Sequence, residues 1–258
     1  MGTKAVCIIP ARGGSKRIPK KNIKDFFGKP LIAYSIEVAL ASNLFEKVVV
    51  STDDETIAKI AKEYGAEVPF IRPDDLSDDF IGTGAVVEHA LKILQDNGEE
   101  YRYLCTLYAT APLLQVEYLK KGLEALKKNS DAHMAFSVTS MPFPIQRTFK
   151  ITKENRCEMF TPQYFSARSQ DLEEAYQDAG QFYWENLQNK ATDIPFGRSS
   201  IPIILPRTVV QDIDTLEDWE KAEQLYLLNQ NIQNNSKKKL KESMRITSSK
   251  RQNIANKS

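Results

Sequence analysis

Near the start of the chain, the run IIPARGGSKRIPKKN (residues 8–22) sets Arg12, Lys16, Arg17, Lys20 and Lys21 directly behind an apolar stretch. Fixed cations beside two adjacent glycines suit a polyanion: Gly13 and Gly14 let the backbone approach a ligand closely, and successive N–H groups can turn towards one anion. Ser15 and Asn22 add neutral donors to the charge of Arg12, Lys16 and Lys21. Two familiar phosphate loops are excluded by spacing, since GxxxxGK[ST] is absent and so is GxGxxG followed by an acid about twenty residues on. Far along the chain, Asp212-Ile213-Asp214 carries carboxylates at i and i+2, which point to one side of an extended segment. Paired carboxylates near a phosphate loop suit Mg²⁺, which takes oxygen ligands and shares them with substrate phosphates. Helix capping is the competing reason for acids at this place. Thr215-Leu216-Glu217-Asp218, however, already has the pattern of a capping box.

The elements that must hold these residues follow from hydrophobic period. Residues 4–10 read as a buried strand, and Leu31, Tyr34, Val38 and Ala41 recur at helical spacing. Residues 47–52 read as a strand, with Asp53-Asp54-Glu55 as an acidic helix start. The unit repeats with a strand over 67–71, a helix through Val87, Ala90, Leu91 and Leu94, a strand over 103–108 and a helix through Leu119, Leu123 and Leu126. Such alternation predicts βαβ crossovers and an α/β fold of three layers, Rossmann-like, with a mainly parallel sheet covered on both faces. The basic loop then falls at the carboxyl edge of the sheet, where α/β proteins bind ligands. After Phe136 the rhythm breaks, and residues 141–185, rich in Pro and aromatics, are expected to form an inserted lobe. The pattern returns at 201–205, and a last helix shows Trp219, Ala222 and Tyr226 on one face. One domain over residues 1–228 and a basic, disordered tail over 229–258 are the predicted divisions.

The chain has 258 residues, 41% hydrophobic and 27% charged, an ordinary globular composition. Its net charge of +1 hides an asymmetry: the last thirty residues carry eight Lys/Arg against Glu242 alone, and the remainder carries 27 against 33 Asp/Glu. A body without basic excess argues against nucleic acid as a partner. No apolar run approaches the roughly 18 residues of a membrane span, so a cytoplasmic protein without membrane contact is expected. Cys7, Cys105 and Cys157 lie far apart with no CxxC and read as reduced thiols. His89 reads as a packed residue rather than a general base, and Phe26, Phe27 and Trp219 read as core.

Residues 8–22 are similar to the nucleotide-binding signature of the acylneuraminate cytidylyltransferases, which join CMP to nine-carbon acidic sugars. The similarity continues through VVVSTDDETIA (48–58), FIRPDDLSDD (70–79) and VVQDIDTLEDW (209–219). The resemblance implies the nucleotide-diphospho-sugar transferase fold, with the inserted lobe reaching a partner subunit in a homodimer. It implies that CTP is held by Ala11, Arg12, Gly14, Ser15, Lys16, Lys21, Asn22, Arg72 and Thr83, and that Arg12, Lys21, Asp212 and Asp214 serve catalysis. The two aspartates would hold Mg²⁺, and Arg147 and Arg168 would grip the sugar carboxylate. The sialic acid branch of that family reads LQPTSPL where this chain has Leu107 to Leu113, so Tyr108 replaces a base-contacting Gln. It also reads Asn-Gly-Ala where this chain has Ala179-Gly180-Gln181. Both departures resemble the branch acting on pseudaminic acid, with Gln181 as an expected sugar contact. The other readings are a cytidylyltransferase for sialic, legionaminic or deoxyoctulosonic acid, and a nucleotide-sugar-binding module without turnover.

Overall fold

The computed structural model describes residues 4–77, 81–189, 194–232 and 234–235. Strands β1 (Ala5–Ala11), β2 (Asp25–Phe26) and β3 (Lys29–Pro30) lead into helix α1 (Leu31–Ser42), followed by β4 (Lys47–Thr52) and α2 (Glu55–Glu63). Next come α3 (Thr83–Asp96), β5 (Tyr103–Leu107), α4 (Val116–Lys128) and β6 (Met134–Ser140). The short pair β7 (Phe149–Ile151) and β8 (Cys157–Met159) precedes β9 (Tyr176–Asn186) and β10 (Ser200–Ile204). A last helix, α5, is described over 216–232 and 234–235.

The main sheet has the order β10-β6-β9-β5-β1-β4. β9 is antiparallel to both β5 and β6, while the other pairings are parallel. Alternation along β1 builds the three expected layers. Ala5, Cys7 and Ile9 face a core shared with α1, α2 and α4, whereas Val6 and Ile8 face Val87, Ala90 and Leu94 of α3. Cys7 and Cys105 are buried free thiols on neighbouring strands. A third apolar cluster joins Ile18, Phe26, Leu31, Ile213, Trp219 and Ala222, tying the basic loop to the acidic segment and α5. Phe26 and Trp219 are core as expected, but Phe27 is 42% exposed and stacks on Tyr226.

Three expectations are corrected. Residues 67–71 form no strand, only a single parallel bridge between Val49 and Glu67; Pro69 supplies no N–H to continue the ladder. Within 141–185, the last part is not a lobe: 176–186 is β9, a central strand of the sheet, and the lobe closes where Met141 N–H meets the Ala175 carbonyl at 2.8 Å. The body does not end at Leu228, because α5 continues and Asn229 Nδ2 donates to the Thr208 carbonyl at 2.8 Å. The rest of the predicted tail, and Asp78 and Asp79 of the family-like run, lie outside the described residues. Among the described residues, no helix is long and apolar enough to cross a membrane.

Candidate active site

The basic loop leaves β1 at Ala11 and is held from beneath by Arg72, which is only 3% exposed. The guanidinium donates to the Ser51 carbonyl at 2.9 Å and the Ala11 carbonyl at 3.4 Å, so it ties together the carboxyl ends of β4 and β1. It also reaches Ser77 Oγ at 3.1 Å and pairs with Asp53 at 3.2 Å. Burial lowers its pKa, with Arg12 adding to the effect and Asp53 opposing it. Asp53 also accepts from Gly13 N–H at 3.1 Å, while its neighbour Asp54 caps α2 by accepting from Thr56 and Ile57 N–H at 2.7 and 3.0 Å. A Cβ on Gly13 would lie 2.8 Å from an oxygen of that cap, so a glycine is required there. Asn22 is buried and donates to the Arg12 carbonyl at 3.0 Å, which fixes the loop at its other end.

These contacts shape a cleft of about 430 Å³. Of the residues that the resemblance implies for CTP, Ala11, Arg12, Ser15, Lys16, Lys21, Asn22, Arg72 and Thr83 line it. Gly14 does not, although a Cβ there would meet nothing within 4 Å. Thr83 is the first residue of α3 and Gly82 is the cap, so the Thr83 hydroxyl is free of a capping role. Sequence reasoning did not assign Arg17 or Tyr108 to the cleft wall, where both stand. Arg17 had a signal, its place in the cationic run, whereas Tyr108 was visible only as a departure from the sialic branch.

Opposite the loop, Ile213 is fully buried in the third cluster, so Asp212 and Asp214 turn the other way. Asp218 accepts from Thr215 N–H at 2.8 Å and Thr215 Oγ1 accepts from Asp218 N–H at 3.2 Å, which completes the capping box without either acid. Asp214 meets Arg17 at 3.2 Å and Lys21 at 3.3 Å, and Lys21 Nζ also donates to the Ile213 carbonyl. Burial raises the pKa of Asp212, with the nearby Asp214 charge adding and Lys21 opposing. A second cavity, of about 540 Å³, lies beyond the pair. Asp178, Arg207, Asp212 and Lys221 line it, and Asp214 lines both spaces.

The acid pair fits a hard divalent cation: all its donors are carboxylate oxygens, their like charge disfavours joint ionisation, and two loop cations already gather at Asp214. No group of three or more Cys, His, Asp or Glu able to hold a metal occurs among the described residues, so substrate oxygens and water would have to complete the shell.

The three expected sugar contacts are not brought to either cavity. Arg147 binds the Ala167 carbonyl within the lobe, and Arg168, 71% exposed, pairs with Asp171 at 2.6 Å. Gln181 is 2% exposed and points into the core. The physical cause is a register shift between β6 and β9 together with Gly180 at φ +60°, which leaves Gln181 and Phe182 buried in succession instead of alternating. His89 is packed as expected, edge-on to Phe70.

A cationic cleft and a second cavity with one carboxylate in the wall of both, on a three-layer α/β sheet, describe a nucleotidyltransferase. The chain belongs to the cytidylyltransferase family, whose model matches residues 6–246. It is 49% identical over 229 residues to a pseudaminic acid cytidylyltransferase of Campylobacter jejuni, covering 88% of this chain and 97% of the relative. It is 33% identical to an N-acylneuraminate cytidylyltransferase of Escherichia coli, over 86% of this chain and 52% of the other. The fold is similar to that of a CMP:2-keto-3-deoxy-manno-octonic acid synthetase solved with CTP, at TM-score 0.62 and 17% identity, covering 88% of this chain and 99% of that one.

Proposed function

We propose that the protein transfers CMP from CTP to the anomeric hydroxyl of pseudaminic acid, releasing pyrophosphate. The observation that carries this reading is Asp214, a single carboxylate common to a cationic cleft and a second cavity. The 49% identity to a relative with that activity supports the choice of sugar. Arg12, Lys16 and Lys21 hold the triphosphate, and the first turn of α3 and Tyr108 bound the same cleft. The acceptor occupies the second cavity, where its anomeric oxygen attacks the α-phosphorus in line and the bond to the pyrophosphate oxygen breaks. Asp212 lines that cavity, so it is placed to accept the hydroxyl proton directly or through water. Asp212 and Asp214 would hold Mg²⁺, which when bound neutralises charge at the phosphates. The cations of the loop preorganise the rest of the electrostatic stabilisation.

The same reading includes a homodimer and a cytoplasmic location. The lobe leaves Phe143, Ile151, Phe160 and Phe165 exposed by 64–78%, an apolar face that favours contact with a second surface. Arg147 and Arg168 sit on that lobe, so they serve a sugar carboxylate in the partner subunit's site rather than their own. A panel of nucleotides and nonulosonic acids scored for pyrophosphate tests the substrate. Pseudaminic acid with CTP should show a kcat/KM at least about a hundredfold above N-acetylneuraminic acid, because a buried site rejects an isomer that leaves polar groups unpaired. Equal turnover of N-acetylneuraminic acid would overturn the choice of sugar, and no turnover of any acceptor would leave a binding module.

A further inference from the structure

Gln181, which the departure from the sialic branch marks as a sugar contact, touches neither cavity but sits between them. Its side-chain Nε2 donates to the Val209 carbonyl at 2.6 Å, three residues before Asp212. Its own carbonyl accepts from the N–H of Tyr108, in the wall of the nucleotide cleft, at 2.9 Å. The backbone around it is fixed by the buried Ser137 hydroxyl, which accepts from the N–H groups of Gln181 and Phe182 at 3.3 and 3.2 Å. The neighbouring Gly180 lies beside Asp212: a Cβ there would stand 3.8 Å from its carboxyl carbon, at ordinary contact distance. Gln181 Oε1 is buried and has no hydrogen-bond partner among the described residues, so the donor bond to Val209 is what fixes the amide.

From this geometry we infer that Gln181 is a positioning residue: the bulge at Gly180-Gln181 fixes the acid pair relative to the nucleotide wall by anchoring the backbone at Val209. The anchor adds a side-chain bond between two segments that already share the main apolar cluster through Ala109 and Val209. Tyr108 follows β5, and residues 210–214 form no regular element, so the bond at Val209 ties the start of that segment to the sheet, while Lys21 and the buried Ile213 hold its far end. A buried polar contact of this kind is costly to leave half-made. A displacement of about 1 Å at the reacting centre is enough to cost about a hundredfold in rate.

This inference rests on the reading of Asp212 and Asp214 as the reacting acids, and the test separates the two. Gln181→Met keeps the side-chain length and removes the donor. It should lower kcat by about tenfold to a hundredfold, raise the Mg²⁺ concentration for half-activation, and leave the KM for CTP within about twofold. Ser137→Ala loosens the same bulge and should move the same quantities in the same direction, so it decides the matter if the first variant does not fold. Asp212→Asn is run beside them. If Asp212→Asn is inactive while both other variants keep wild-type kcat and Mg²⁺ dependence, with only thermal midpoints lowered, Gln181 is a core residue alone and the inference fails. A rise in KM for CTP with kcat unchanged would equally overturn it, since the anchor would then act on the nucleotide wall. If Asp212→Asn itself is fully active, the reading of the acid pair is what has failed.

Discussion

The basic loop at 12–22 and the lobe at 142–175 are both irregular segments bearing arginines, but they differ in what holds them. The loop is fastened to the body at several points: Gly13 to Asp53, Lys21 to the Ile213 carbonyl, and Ile18 within the third apolar cluster. The lobe bonds mainly to itself, as in Thr161 to the Gln146 carbonyl at 2.6 Å and Phe160 N–H to the Thr148 carbonyl at 3.1 Å. Its large apolar side chains face outward. The nucleotide cleft is thus positioned by the core of its own chain. The arginines of the apolar flap are held by the flap itself, Arg147 by the Ala167 carbonyl and Arg168 by Asp171.

Four variants sharpen or break that contrast. The largest effect is expected at the loop: Arg12→Ala removes a preorganised cation from the cleft and should lower kcat by about 10²–10³ with the far-UV circular dichroism unchanged. A folded variant with near wild-type turnover would detach the loop from the chemistry. At the lobe, the proposed dimer predicts that Phe143→Ser with Phe165→Ser gives a monomer in light scattering and reduces activity about tenfold. Retained activity in a monomer would show that the lobe serves nothing but itself. The smallest effect is at the end of α5. Truncation after Asn235 should leave activity and thermal midpoint unchanged. Truncation after Leu228 removes the bond from Asn229 to Thr208, and a loss near 1 kcal/mol corresponds to a fall of about 2–4 °C.

The loop and the acid pair were legible because their signals are local. Cationic run, paired glycines and an i, i+2 carboxylate pair sit within short stretches, and the elements flanking them have clean periods of 2 or 3.6. The strand β9 was hidden because its bulge breaks the period at Gly180 and its first residues, Tyr176 to Asp178, are exposed. The same bulge turned Gln181 inward, so a side chain read as polar and ligand-facing proved to be a backbone anchor. Arg207, in the wall of the second cavity, carried no motif at all; only the packing of the segment before the acid pair brings it there. Residues 67–71 had strand-like composition, and a single proline decided against them.

The most direct test of the shared carboxylate is to measure CTP binding and turnover separately in Asp214→Asn. The structure predicts that the variant folds, since the capping box does not use this side chain. It should bind CTP to within about tenfold of the unmodified protein by calorimetry, because the cationic loop remains, and release pyrophosphate at least about 10³-fold more slowly with pseudaminic acid present. Turnover within twofold of the unmodified protein at limiting Mg²⁺ would contradict the account, leaving the two cavities with no common catalytic group.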